Sequence, residues 1–409
     1  MTGSIVGIHP SGRVASATLL LVATALSACD QSPSGAGDGD DLRPLDPVLV
    51  AEGKEVFRHD TFGNEVFWTD TARLHEVIGS VVSPKVALSV GLNVDADALP
   101  QAVKDAIAAG QVDLDDPATT VTLLKLNAVL GVHGTVENIN GRDTLVRVGI
   151  TCALCHSRTN NSFAPGIGQR QDGWAATGLN PGAIVALSPA IPDELKAIMR
   201  SWGPGKFDPR INRDGKNTPI VIPPAYGLHG VARETYTGEG PVSYWNAYVA
   251  VTQMHGRGNF QDSRLGIDVR NSPDLVTSKL PALAEYQLSL VAPHAPAAVD
   301  VPAVERGKAV FNGEGRCAGC HIPGRQFTDV GLGRLHEAWE TGMDSRYAER
   351  TATRRYRTTP LRALWQHPPY FHDGSAANLE AVVAHYDRAL SLGLTARQRA
   401  DLVSYLNTF

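Results

Sequence analysis

The sequence predicts a mainly α-helical fold with two similar domains, and three observations support this prediction. A C-x-x-C-H motif occurs twice, at 152–156 and at 317–321. Two other segments echo each other, EGKEVF at 52–57 and RGKAVF at 306–311. The chain ends in TARQRADLVSYL, which has the spacing of an amphipathic helix with Thr395 as its N-cap.

The C-x-x-C-H motif has a specific chemistry. Two thiols three residues apart lie on one face of a helical turn and can add to the two vinyl groups of a haem. The imidazole of the next residue then reaches the iron. The sequence therefore predicts two cytochrome c-type haem domains with two covalently bound haem c groups. The residues predicted to bind them are Cys152, Cys155 and His156 for the first haem, and Cys317, Cys320 and His321 for the second.

Two other uses of C-x-x-C were weighed. Ribbon-type zinc sites bring their cysteine pairs much closer together in sequence than these two copies. A dithiol redox motif is accompanied by a βαβ pattern, which neither copy has. Of the five cysteines, four lie in the motifs and the fifth is Cys29, so none remains for a disulfide framework.

The first 28 residues are predicted to be a signal peptide. Arg13 precedes a run rich in Ala, Leu and Val that is too short for an ordinary membrane helix. The run ends in Leu-Ser-Ala-Cys at 26–29, which resembles the lipobox of bacterial lipoproteins; a plain signal peptide with an incidental Cys29 is the alternative. We therefore expect a protein on the periplasmic side of a bacterial membrane, lipid-anchored through Cys29. Residues 29–47 are polar and rich in Gly and Pro, which predicts a flexible tether.

The spacing of the repeats predicts a large insertion. Ten positions separate Gly307 from Cys317, whereas ninety-nine separate Gly53 from Cys152. The predicted organisation is an N-terminal haem domain at 48–291 with an insertion at about 58–150, a linker at 292–300 and a C-terminal cytochrome c domain at 301–409. Within the insertion, 99–109 and 118–130 have helical spacing, and 86–94 fits either a helix or a strand.

Composition limits the partners. The formal net charge is −5, and this mild acidity argues against non-specific nucleic-acid binding. Charged residues at 19% and aromatic residues at 6% are ordinary values for a globular protein.

Three elements follow the second haem motif in a characteristic order: TTPLR at 358–362, PYFHDG at 369–374 and LEAVVAHYD at 379–387. They resemble the C-terminal haem domain of the bacterial dihaem cytochrome c peroxidase superfamily, which includes the methylamine-utilisation-type (MauG-like) enzymes. The first half is similar more loosely, through Asn-Thr-Pro at 217–219 and Tyr-Thr-Gly at 236–238, where the family has N-x-P and W-D-G. The resemblance implies that peroxide reacts at the first haem and that the second haem relays electrons.

The resemblance also implies the axial ligands. His156 is expected to be the proximal ligand of the peroxide-binding haem, and His321 that of the relay haem. The family places a Met or a Tyr late in the C-terminal domain as sixth ligand of the relay haem, where this chain has Tyr386. Tyr386 is therefore the expected ligand; His385 as ligand, or Tyr386 as a core residue, are the alternatives.

Two residues are expected near the peroxide. The family's distal histidine is replaced by Gln169, which predicts an open first haem site and a hydrogen bond from Gln169 to bound peroxide or dioxygen; an exposed loop glutamine is the alternative. Where the family has an acid–base glutamate, this chain has His255, the candidate for moving a proton between the peroxide oxygens. A structural role for His255 is the alternative.

Further positions follow from the same resemblance. Tyr236 stands where the family has the tryptophan that bridges its haems, with Trp245 as a second candidate and a core role as the alternative for both. A calcium ion is expected near Asn217, Thr358 and Pro360, since carbonyl oxygens suit this cation. The basic run is expected to pair with haem propionates or to form a solvated face; it comprises Arg346, Arg350, Arg354, Arg355, Arg357 and Arg362.

Three functions were considered. The favoured one is a peroxidase that reduces hydrogen peroxide with electrons from a small donor protein, a cytochrome c or a cupredoxin. The second is a MauG-like or rubber-oxygenase-like haem oxidation of an organic or protein substrate. The third is a non-enzymatic electron-transfer cytochrome.

Overall fold

The structure is a computed structural model that describes residues 42–295 and 300–409. The predicted signal peptide, Cys29 and most of the tether lie outside the described residues, and the linker is described in part. No described helix is both long enough and apolar enough to cross a membrane.

Helices dominate the described chain. They are α1 (Pro47–His59), α2 (Leu74–Ser80), α3 (Pro84–Ser89), α4 (Gln101–Ala108), α5 (Pro117–Lys125), α6 (Ala153–His156), α7 (Pro181–Val185), α8 (Asp193–Arg200), α9 (Ile211–Asp214), α10 (Val242–Thr252), α11 (Leu280–Ser289), α12 (Val301–Asn312), α13 (Leu379–Ala389) and α14 (Ala396–Leu406). A π-helical turn lies at Val66–Thr71, and several 3₁₀ turns connect the helices.

The strands form two-stranded ladders. They are β1 (Val94–Asp95), β2 (Val132–Ile139), β3 (Arg142–Ile150), β4 (Ser157–Thr159), β5 (Ile167–Gly168), β6 (Arg170–Asp172), β7 (Lys206–Phe207), β8 (Ile220–Val221), β9 (Phe260–Asp262) and β10 (Ile267–Val269). The pairs are β2–β3, β4–β6, β7–β8 and β9–β10, all antiparallel, and the parallel pair β1–β5. The prediction of a mainly helical fold is thus confirmed only in part, because the fold mixes helices with short strands.

The same helix crossing occurs twice. Gly53 of α1 packs against the backbone of α11, and a Cβ added there would lie 1.9 Å from the carbonyl oxygen of Ala282. Gly307 of α12 packs in the same way against α14, where an added Cβ would lie 2.0 Å from the carbonyl oxygen of Asp401. Glycine permits this close approach because it has no Cβ. The echo between the two sequence segments therefore corresponds to two equivalent crossings.

An aromatic pair accompanies each crossing. Phe57 packs edge-on against Tyr286, with ring centroids 5.4 Å apart, and Phe311 packs edge-on against Tyr405 at 5.3 Å. All four rings are buried in the cores beside these helix pairs. The first pair flanks the first haem motif in sequence, and the second pair flanks the second.

The insertion has its own small core. Helices α2 and α5 pack on the long β2–β3 hairpin, and α3 packs on α5. The buried residues of this core include Leu99, Val121, Leu124 and Leu145. The hairpin turns at Asn140 and Gly141, which both have positive φ, 54° and 84°. Two such residues match the two-residue turn that suits the twist of an antiparallel hairpin. The predicted helix at 118–130 is shorter, since α5 ends at Lys125, and 86–94 contributes both helix α3 and the start of β1.

Candidate haem-binding sites

The second C-x-x-C-H motif lies on a 3₁₀ turn at Cys317–Gly319 that follows α12. The Nδ1 atom of His321 lies 3.0 Å from the carbonyl oxygen of Phe327 and donates to it. Burial lowers the pKa of His321, which favours the neutral ring. A neutral imidazole that donates from Nδ1 keeps the lone pair of Nε2 for a metal. His321 is therefore oriented as an iron ligand.

A cavity of about 280 Å³ lies against this motif. Its wall includes both thiols, the His321 ring and Tyr386 of α13. Removal from bulk water raises the pKa of the Tyr386 phenol, and the nearby Cys317 and Cys320 add to the effect. His385 does not line the cavity; its Nε2 atom donates to the carbonyl oxygen of Thr341 at 2.8 Å. Of the two candidate sixth ligands, the geometry favours Tyr386.

Two arginines of the basic run also line this cavity. Arg357 has a buried Nε atom without a hydrogen-bond partner, and Arg362 has a buried Nη2 atom in the same condition. Burial lowers the pKa of Arg357 to about 10. Buried donors that lack partners are costly. A haem with its two propionates would satisfy both donors, so the residues of this cavity fit the group that the motif predicts.

The first motif lies on the short helix α6. Burial raises the pKa of the Cys152 and Cys155 thiols to about 12 and lowers that of His156 to about 4. The Nδ1 atom of His156 donates to the carbonyl oxygen of Pro223 at 3.1 Å, the same arrangement as in the second motif. Arg158, two residues further on, has a buried Nε atom without a partner. These residues also fit a covalently bound haem.

The helix that precedes the second copy of the crossing can be compared, residue by residue, with the helix that precedes the first. Helix α10 precedes α11 and packs on it, as α13 precedes α14 and packs on it. Tyr386 is the eighth residue of α13, and the eighth residue of α10 is Val249, which packs in the core that contains Cys152. Valine has no atom that binds iron. Counted from the helix N-terminus, α13 thus carries a phenol where α10 carries an apolar side chain.

His255 lies six residues after Val249. In the second half of the chain, Leu392 lies six residues after Tyr386 and lines the second cavity. The His255 ring stacks on Phe67, with centroids 3.5 Å apart, and lies edge-on to Trp68 at 6.0 Å. Burial lowers the pKa of His255 to about 4, so the ring is neutral at pH 7. A neutral imidazole at this position can accept a proton, and the acid–base role remains a prediction.

Gln169 lies at the surface beside the β4–β6 ladder, where its side-chain oxygen accepts a hydrogen bond from Asn160 at 3.3 Å. This environment matches the alternative of a loop glutamine more closely than the predicted bond to peroxide.

Two oxygen atoms at the predicted calcium site already accept hydrogen bonds from other residues. The side-chain oxygen of Asn217 accepts from Trp202 at 2.8 Å, and the carbonyl oxygen of Thr358 accepts from Thr328 at 2.6 Å. Pro360 lines the second cavity.

The two neighbours of Asn217 in the chain, Lys216 and Thr218, both accept hydrogen bonds from the guanidinium of Arg350. Arg350 donates to Asp208 at 2.8 Å and to Asp214 at 2.7 Å, and it also contacts Thr218. Arg346 and Arg355 form surface pairs with Asp344 and Glu337. The six arginines therefore divide into two cavity residues, the buried Arg350 with its two carboxylate partners, and a solvated face. Neither interpretation of the run predicted the ion pairs of Arg350, and the pairing with haem propionates stays a prediction.

The predicted bridging aromatics separate into the two sites. Tyr236 lines the second cavity, whereas Trp245 stacks on Tyr248 in the core beside the first motif. A further aromatic contact, between two tryptophans, was not predicted from the sequence. Trp174 and Trp365 pack edge-on with centroids 6.2 Å apart.

Each tryptophan of this pair follows, in sequence, a residue that contacts one of the two motifs or lines its cavity. Trp174 follows Gly173, whose N–H donates to the carbonyl oxygen of His156 at 2.8 Å. Trp365 follows Leu364, which lines the second cavity. Isolated tryptophans carry no periodic signal, so only the fold could reveal this contact.

The resemblance predicted from the sequence, to the bacterial dihaem cytochrome c peroxidase and MauG-like superfamily, is confirmed by a curated relative. The chain is 35% identical over 156 aligned residues to the methylamine utilization protein MauG of Methylorubrum extorquens. The alignment covers 31% of this chain and 42% of MauG, so the chain spans less than half the length of this relative. No family model matches the chain.

Two solved structures are also similar. One is a MauG-like protein associated with microbial copper homeostasis, with a TM-score of 0.35 and 17% identity, covering 47% of this chain and 76% of the other. The second is hydrazine synthase of Kuenenia stuttgartiensis, with a TM-score of 0.33 and 17% identity, covering 47% and 73%.

Proposed function

We propose that the protein is a MauG-like dihaem oxidoreductase in which peroxide is the oxidant at the first site and an organic or protein substrate supplies the electrons. The observation that supports this proposal best is the position of Tyr386, which lines the second cavity together with His321 and both thiols. His156 would hold the iron of a haem bound at the first motif, and Val249, the eighth residue of α10, has no atom that would bind that iron. The phenol of Tyr386 would provide the second haem with a ligand that favours the ferric and higher oxidation states.

The bound haems supply the redox-active iron, and the chain supplies position, proton transfer and shielding. His156 and His321 are held by backbone carbonyls at 3.1 Å and 3.0 Å, which fixes each ring relative to its thiols. His255, neutral and stacked on Phe67, accepts the proton of the inner peroxide oxygen and returns it to the outer oxygen. The contact of Trp174 with Trp365 offers aromatic rings for electron passage between the sites.

The peroxidase predicted from the sequence is the second candidate. It shares the first step and differs only in the source of electrons. The wall of the second cavity supports a relay site in both cases, since it holds His321 and Tyr386 whichever donor docks.

Spectroscopy and turnover of the haem-loaded protein test the proposal. We expect one ferric haem that binds cyanide and one that does not, and slow consumption of peroxide with reduced cytochrome c. Rapid, stoichiometric consumption of peroxide with reduced cytochrome c would favour the peroxidase. Two haems that are both inert to cyanide would refute catalysis and leave an electron-transfer cytochrome.

A further inference from the structure

The insertion encloses a second cavity, of about 370 Å³, that the haem chemistry does not use. Helices α2 to α5 and the β2–β3 hairpin form most of its wall. Cavities of roughly 150 Å³ with apolar walls already bind benzene, and ligand pockets typically begin at about 300 Å³. By volume, this cavity holds an apolar molecule of about fifteen carbon atoms. An empty cavity costs stability in proportion to its volume, so an occupant would stabilise the insertion.

The wall defines the chemistry of the occupant. Among the described residues that form it, none is charged, and the side chains are aliphatic apart from Trp68 and three threonines. Trp68 donates to the carbonyl oxygen of Met254 at 3.0 Å. Thr119 and Thr122 donate to the carbonyl oxygens of Asp113 and Ala118. A charged ligand would therefore lose its hydration without compensation.

Thr120 is the exception. Its side chain is buried, at 5% exposure, and its Oγ1 atom has no hydrogen-bond partner. Its neighbours Leu123 and Leu124 on α5 line the same cavity. A buried hydroxyl without a partner is costly, and a single polar atom on the occupant would satisfy it.

Helix α4 separates the cavity from solvent. It has no buried residue, and its apolar stripe of Ala102, Val103, Ala106 and Ile107 faces the cavity. On its other face Ala108 is exposed. A helix that covers a cavity and buries none of its own residues is poorly anchored, so α4 is the place where a ligand can enter.

The cavity also reaches the first haem motif. Leu154, between Cys152 and Cys155, forms part of its wall. Trp68, also on the wall, has its ring 6.0 Å from that of His255.

From these observations we propose that the insertion is a binding site for a neutral, apolar organic molecule that carries one hydrogen-bonding group, such as a long-chain alcohol or ketone. The inference rests on the cavity and holds whether or not the proposed function is correct.

Isothermal titration calorimetry of the haem-loaded protein with 1-decanol and decanoate at pH 8 tests this site. We expect saturable binding of 1-decanol and binding of decanoate at least about tenfold weaker, because the carboxylate must be desolvated. Ala106→Phe fills the cavity and should abolish the binding of 1-decanol. Ala108→Phe, on the exposed face of the same helix, is the matched control and should leave it unchanged.

Thr120→Val keeps the shape of the side chain and removes the hydroxyl. It should weaken the binding of 1-decanol about fivefold, the effect of one neutral hydrogen bond. This variant decides the matter if Ala106→Phe does not fold. Absence of saturable binding to the wild type, equal binding of decanoate, or full binding by Ala106→Phe would each overturn the proposal, as would unchanged binding by Thr120→Val.

Discussion

Replacing Gly307 with alanine places a methyl group against the backbone of the facing helix. The added Cβ would lie 2.0 Å from the carbonyl oxygen of Asp401, 2.6 Å from its carbonyl carbon and 2.9 Å from the Cβ of Tyr405. None of these atoms is the end of a flexible side chain, so α12 and α14 must move apart. The second haem cavity is affected too, because Leu402 and Leu406 of α14 line it.

The expected cost follows from the type of contact. Overpacking a close-packed core costs about 1–3 kcal/mol, and contacts with backbone atoms lie at the upper end of this range, about 3 kcal/mol. Alanine regains about 1 kcal/mol through its better helix propensity. The net loss should be about 2 kcal/mol, and Gly53→Ala should behave in the same way, since its added Cβ would lie 1.9 Å from the carbonyl oxygen of Ala282.

Urea unfolding of the haem-loaded variants, followed by far-UV circular dichroism, measures this effect as a lower midpoint at unchanged slope. Gly79→Ala is the control. Gly79 lies in α2, and an added Cβ there meets nothing within 4 Å, so alanine should raise stability by about 0.5–1 kcal/mol. A midpoint for Gly307→Ala at or above that of the wild type would refute the packing argument.

Three further predictions concern the sites. Tyr386→Phe should change the low-temperature EPR signal of one haem and leave the cyanide-binding haem unchanged. His255→Ala should lower peroxide turnover about 100-fold at intact optical spectra, since acid–base catalysis contributes roughly 10²–10⁴-fold. Burial raises the pKa of Glu234 from 4.5 to about 7. The folded protein therefore binds this proton more tightly than the unfolded chain, and stability should fall by about 3 kcal/mol as the pH rises from below 4.5 to above 7. Glu234→Gln should remove this slope.

Each of these predictions has a clear contrary outcome. An unchanged EPR spectrum in Tyr386→Phe would remove the phenol from the coordination of the second iron, and His385→Ala serves as the comparison because His385 bonds to Thr341 instead. Normal turnover in His255→Ala would assign His255 a packing role against Phe67. Identical pH dependence of unfolding in Glu234→Gln and the wild type would show that this carboxyl ionises normally.

The parts of the site that depend on local spacing could be predicted from the sequence. A C-x-x-C-H motif can bind a haem because its two thiols and its imidazole lie within five residues, as Cys317, Cys320 and His321 do. Any fold that binds the haem therefore keeps these three side chains together. The terminal helix is similar, because Thr395 caps it as predicted and bonds reciprocally with Gln398. The hairpin at 132–150 was missed although its turn, Asn140-Gly141, is a strong local signal for it.

Contacts between distant segments could not be read from spacing. The packing of Trp174 on Trp365, the partnerless donors of Arg357 and Arg362, and the cavity behind Leu154 all join residues from separate helices and loops. The sequence by itself predicted the haem attachment and the repeated helix at Gly53 and Gly307, because covalent chemistry and helix periodicity act over a few residues. Only the tertiary structure placed Tyr386 of α13, and not His385, on the wall of the cavity beside His321, because which side chain lines a cavity depends on how whole helices pack.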